Sequence, residues 1–143
     1  MIKTPADKWK DTIIKYRKQC QCILKLSNSI RYTGVINVYG RTLTGIINPS
    51  LKPLLKSEHL KNEFFIVSNL MSLRKDTSIT FGKLEHVILQ HQKVIIVILH
   101  KNDITYYVSI NRKEKGIDKE SVTIQKVLDC AKSLINQFNQ KRM

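Results

Sequence analysis

The chain has no Cys-x-x-Cys pair; its three cysteines, Cys20, Cys22 and Cys130, are an odd number without metal-ligand spacing. That argues against a secreted disulfide framework and against a zinc site. Cys20 and Cys22 fall in a predicted helix, where residues two apart point about 200° from each other and do not share a metal. Reduced, structural thiols follow. No apolar run approaches the roughly 20 residues that cross a bilayer, and Met1 to Lys10 lacks the hydrophobic stretch of a signal peptide. The expectation is a soluble cytoplasmic protein with no membrane span.

Catalytic signatures are missing as well. There is no GxSxG elbow, no GxxxxGK[ST] phosphate loop and no HExxH pair, and Gly34 and Gly40 lack the third glycine and strand-to-helix context of a dinucleotide turn. The imidazoles His59, His86, His91 and His100 join no cysteine pair at metal spacing and are read as surface or packing residues. Acidic residues number 11 against 25 Lys and Arg, and none falls in Val94–Leu99 or Ile104–Ile110, which disfavours paired-carboxylate chemistry. No catalytic residue, metal or cofactor is expected, and the chain is read as a non-enzyme.

What is present in excess is positive charge. A formal +14 attracts phosphate polyanions or an acidic membrane surface over long range. Most of it is Lys, a hydrated point charge, whereas forked phosphate or guanine recognition prefers Arg. Abundant Ile and Asn make biased coding, and hence a generally lysine-coated surface, an equally simple explanation.

The six aliphatic residues Val94 to Leu99 form the most informative stretch, because so continuously apolar a strand must be covered on both faces. Before it, Pro5 to Leu26 reads as an amphipathic helix with Trp9, Ile13, Tyr16, Cys20, Ile23 and Leu24 on one stripe about 100° wide. Its other surface carries Lys8, Lys10, Lys15, Arg17, Lys18 and Lys25, relieved only by Asp7 and Asp11. Ile30–Val38 and Arg41–Ile47 flank Tyr39-Gly40 and read as a hairpin, with Gly34 and Gly45 marking close packing or a bulge. Asn48-Pro49-Ser50 and Pro53 make a constrained connector.

A second helix starts near Ser57, which could cap it, with Glu58 at its positive end and Leu60, Phe64, Val67 and Met71 at helical spacing. Phe65, Leu70 and Leu73 widen its apolar surface beyond one stripe. After a polar stretch from Arg74 to Gly82, three strands (Leu84–Leu89, Val94–Leu99, Ile104–Ile110) turn at His91-Gln92 and Asn102-Asp103, an antiparallel meander. Asn111–Gly116 is a charged loop. From Asp118 or Ser121 a third helix carries Ile124, Val127, Leu128, Ala131, Leu134, Ile135 and Phe138 within about 120° of arc, and the terminal Lys141-Arg142-Met143 is expected to fray. At 143 residues the chain suits one domain spanning 1–143. The fold class is α+β: a five-stranded antiparallel sheet with helices on both faces, in the order αββαβββα.

That order, with Asn37-Val38-Tyr39-Gly40 standing where Asp-x-x-Gly is typical, resembles the roadblock modules of dynein light chains and their prokaryotic relatives. A profilin-like shape is implied. Over residues 8–110 the chain is also similar to a group of small archaeal proteins of no established activity. They share Ile30-Arg31-Tyr32-Thr33-Gly34-Val35-Ile36-Asn37, Gly40-Arg41-Thr42-Leu43, Leu51-Lys52-Pro53-Leu54, Asn62-Glu63-Phe64-Phe65 and Leu73-Arg74-Lys75.

The roadblock resemblance implies a non-enzymatic homodimeric module that regulates a small GTPase or scaffolds an assembly. Dimerisation would use the second helix and the meander edge, here Phe64, Phe65, Leu70 and Met71 with Leu84, Val87 and Leu89. The competing reading is a nucleic-acid-associated protein. It uses Lys8, Lys10, Lys15, Arg17, Lys18, Lys25 and Arg31, extended by Lys52, Lys56 and the Arg112-Lys113-Lys115 loop. A third is a small-molecule sensor holding its ligand against one sheet face lined by Tyr32, Tyr106 and Tyr107.

Overall fold

The structure, a computed structural model, describes residues 2–112 and 117–140, with side chains at 2–112 and 120–134. Its elements run α1 (Pro5–Leu24), β1 (Ile30–Ile36), β2 (Thr42–Ile47), α2 (Ser57–Leu73), α3 (Ser78–Phe81), β3 (His86–Gln90), β4 (Val94–Lys101), β5 (Ile104–Asn111) and α4 (Ile117–Gln140). The expected order holds, with the one-turn α3 added inside the stretch read as merely polar. The sheet is antiparallel, in the order β2-β1-β5-β4-β3.

Continuous burial of the apolar strand is as expected. Ile95 to Leu99 are each at most 3% exposed, and they alternate between two cores. Ile95, Val97 and Leu99 meet Tyr16, Cys20 and Ile23 of α1 and Val127, Leu128 and Ala131 of α4. Ile96 and Ile98 meet Phe64, Val67 and Met71 of α2 on the opposite face. β4 has a neighbour on each side, but the middle strand is β5, because β1 returns to pair with it. From β2 at one edge, the α2 crossover carries the chain to β3 at the other.

Local chemistry explains the element ends. Thr4 Oγ1 accepts the Asp7 N–H at 3.2 Å while Asp7 accepts the Thr4 N–H at 3.3 Å, a reciprocal cap with Pro5 at the first helical position. At α2 the expectation fails. Ser57 is already helical, and Lys56 occupies the cap position without a side-chain bond.

The first hairpin closes through Asn37, whose Oδ1 accepts the N–H groups of Tyr39 at 2.9 Å and Arg41 at 3.0 Å. Gly40 sits at φ +81°, and a Cβ there would lie 2.8 Å from the Phe64 carbonyl oxygen of α2. Glycine is therefore required both by backbone and by space. Gly34 and Gly45 lie directly opposite each other, with the Tyr32 ring laid across both. The irregularity in this hairpin falls elsewhere, between Val35 and Ile36, where Leu43 is left without a partner. Asn102 and Asp103, both at positive φ, make the two-residue turn that suits the twist between β4 and β5.

One apolar residue of the first stripe needs correction. Trp9 is 52% exposed, because the core begins only at Ile13 and Tyr16, where α1 reaches the sheet. Ile135 and Phe138 lie outside the described side chains, and Lys113, Lys115 and Lys141–Met143 outside the described residues.

Candidate functional site

Helix α2 has two apolar faces, and the sheet uses one. Phe64 and Met71, expected at a partner interface, are buried against the chain's own β4 and β5 and so cannot present to a partner. Phe65, Ile66 and Leu73 stand exposed on the outward half of the helix, with Leu70 half-buried beside them. The edge strand begins at His86 rather than Leu84, so Leu84 precedes it; Leu84, Val87 and Leu89 are half-buried alongside the α2 core, while β3 has no neighbour on its outer side in the sheet. Beyond α2, the one-turn α3 adds Ile79, 92% exposed, and Phe81, 76% exposed. Ile66, Ile79 and Phe81 were missed from the sequence; the Ile79-Thr80-Phe81 alternation within polar residues was the available signal.

The basic residues divide between the two sides of the sheet. Lys8, Lys10, Lys15, Arg17 and Lys18 on α1 and Lys25 at its C-terminal cap are all exposed. At helical spacing they spread over roughly half the cylinder rather than along one line. Arg31 is not among them. It lies across the sheet, where Nη1 donates to Asn111 Oδ1 at 2.9 Å and Nη2 to the Lys52 carbonyl oxygen. A second basic cluster, unforeseen, lines a cleft of about 540 Å³ between the end of α2 and the turn after β4, with Arg74, Lys75, Lys83, Lys101 and Lys132 around His100. Lys75 pairs with Asp103 at 2.9 Å and Lys132 with Glu85 at 3.7 Å. Burial, then the Lys75 charge, holds the His100 imidazole below its ordinary value.

The three tyrosines separate by strand parity. Tyr106 faces the α1 side, packs edge-on against Tyr16 at 6.2 Å and donates to Gln19 Oε1 at 2.8 Å. It therefore cannot line a pocket with Tyr107. Tyr32 and Tyr107 face α2, form an aromatic cluster with Phe64, and border a cleft of about 560 Å³ beneath the connector from Leu51 to Leu55. Tyr107 donates to Glu63 Oε2 at 2.9 Å. Burial pushes the Tyr32 hydroxyl up to about 12 and, together with the Glu63 charge, raises Tyr107 further.

The remaining groups show no assembled chemistry. Burial pushes the Cys20 thiol up to about 12, so it stays protonated. His59 and His91 are exposed; His86 is half-buried with its Nδ1 unpartnered, and His100 Nδ1 meets Thr105 Oγ1 at 3.2 Å. Among the described residues no three His, Cys, Asp or Glu side chains converge to hold a metal, and no helix is long and apolar enough to cross a membrane.

No family model matches the chain, and no curated protein matches it by sequence. Solved structures do match in shape. The gliding protein MglB from Thermus thermophilus superposes with a TM-score of 0.63 at 8% identity, over 87% of this chain and 91% of that one. A Roadblock/LC7 domain from Streptomyces avermitilis gives 0.59 at 12% identity, over 85% and 95%. An MglB with a tetrameric arrangement gives 0.61 at 10% identity, over 86% and 91%. Superposition at TM-scores near 0.6 over most of each chain establishes the architecture: the chain has the Roadblock/LC7 fold, the fold of the MglB proteins.

Proposed function

We propose that the chain is a single-domain, non-enzymatic homodimeric module that regulates or scaffolds a protein partner, with a small GTPase as the partner the roadblock resemblance implies. The observation that carries it is the outward face of α2. Phe65, Ile66 and Leu73 are displayed on α2, β3 leaves one sheet edge unpaired, and exposed apolar residues of this kind mark interaction surfaces. A two-fold axis beside α2 and β3 would bury that face and pair the edge in one step. The tetrameric arrangement of one MglB shows that this fold supports assembly in that protein.

Light scattering on the eluting protein tests the dimer. The expected result is twice the chain mass at tens of micromolar, reverting to one chain mass in Phe65→Asp with Ile66→Asp. A strict monomer removes the reading. Affinity purification from the native host, with GDP, GTP and nuclease arms, tests the partner: a nucleotide-dependent GTPase supports it. Nuclease-sensitive material alone would favour the alternative, a nucleic-acid-associated protein working through the exposed α1 lysines.

A further inference from the structure

The cleft beneath the Leu51–Leu55 connector is used by none of this. We infer that it is a binding site for a small amphipathic anion, an apolar body carrying a carboxylate or similar acid. Three features of the cleft support the inference.

The first is unfilled space. Here about 560 Å³ stays open over Tyr32, Tyr107 and Ile96, within the range that holds a drug-sized ligand. Leu54 and Leu55 border that space 53% and 40% exposed, so an apolar occupant would cover surface that the fold leaves wet.

The second is a fixed roof. Arg31 ties the connector, through the Lys52 carbonyl, to Asn111 at the end of β5. Asn48 holds the connector's start, donating to the Asn28 and Ile30 carbonyls at 3.2 and 3.0 Å. The hollow is thus held open by hydrogen bonds and does not need a ligand to form it, which lowers the ordering cost of binding.

The third is the sign of the rim. Arg31, Lys52 and Lys93 border the cleft against one carboxylate, Glu63, which already accepts the Tyr107 hydroxyl. Among the described residues neither Lys52 nor Lys93 has an ion-pair partner. A cationic or neutral ligand would leave that charge unanswered; an anionic head at the mouth would meet it.

Isothermal titration calorimetry with decanoate below its micelle concentration tests the site, with decyltrimethylammonium as the same tail of opposite charge. Saturable binding of one decanoate per chain, a raised unfolding midpoint and at least about tenfold weaker binding of the cation are expected. Lys52→Glu with Lys93→Glu should weaken decanoate about tenfold while leaving the unfolding midpoint of the free protein unchanged. Leu55→Trp, which fills the hollow, should abolish binding. If that variant does not fold, the charge-reversed protein still decides. Absence of saturable binding, equal affinity for both tails, or decanoate binding untouched by the charge reversal would overturn the inference. So would binding to phosphatidylglycerol vesicles without binding to monomeric decanoate. None of these outcomes depends on the oligomeric state.

Discussion

Asn37 shows how one side chain can carry a turn. Its Oδ1 accepts two backbone N–H groups across the Val38-Tyr39-Gly40 reversal, a task an aspartate performs equally well because only the acceptor is used. Asn37→Asp should therefore leave stability within about 0.5 kcal/mol of the parent, whereas Asn37→Ala should cost about 1 kcal/mol in urea unfolding. Gly40→Ala should cost more than about 1 kcal/mol, since it adds strain at positive φ to a collision with the α2 backbone. His100 supplies a pH dependence. Its folded pKa lies below 6.5, lowered by burial and by Lys75 and only partly restored by Asp103. The unfolded chain therefore takes up that proton first. Stability is fully present above about pH 6.5 and declines as pH falls through the lowered folded value. Unfolding at successive pH values should show that decline, and His100→Gln should flatten it.

At the scale of an element, α2 is the informative case, because adjacent residues do opposite things. Phe64 is 2% exposed, stacked on Tyr32 and edge-on to Tyr107, while Phe65 is 55% exposed. Phe64→Ala should lose about 3–5 kcal/mol by leaving a cavity under the helix. Phe65→Asp should change monomer stability by no more than about 0.5 kcal/mol and act instead on self-association. Chemical unfolding paired with sedimentation distinguishes the two. A stability loss for Phe65→Asp comparable to that of Phe64→Ala would mean the helix is rotated from the placement described. The same logic explains the crossover. Linking β2 at one sheet edge to β3 at the other, α2 packs on the face that carries Ile96, Ile98 and Tyr107, and the connector before it roofs the cleft on that face.

For the whole molecule, the +14 charge and the α1 lysines set the behaviour toward polyanions. The lysines are spread around a half-cylinder rather than along one line, so contacts to a duplex should be few and non-specific. Binding to DNA or RNA should be detectable at low salt and lost by about 200 mM, because each contact releases counterions. Filter binding across a salt series measures this. A complex persisting above that range would favour the nucleic-acid reading over the protein-interaction module. Assembly should move the other way: burying the α2 face is driven by apolar area and should survive salt that abolishes polyanion binding.

The sequence by itself determined the five strands, the three long helices, the turns at Gly40 and Asn102-Asp103, and the double-sided burial of Val94–Leu99. These depend on periodicity and turn chemistry acting over a few residues. Short turns also made the meander and first hairpin antiparallel. Tertiary structure alone placed β5 in the middle and set α1 and α4 against one face and α2 against the other. It also separated Tyr106 from Tyr32 and Tyr107, and Arg31 from the α1 lysines. It decided too that Phe64 and Met71 belong to the core and Phe65 and Ile66 to the surface, and it left the hollow beneath the connector. The reason is that such outcomes depend on where distant segments meet: a helix with apolar residues on two faces does not encode which one the sheet will claim.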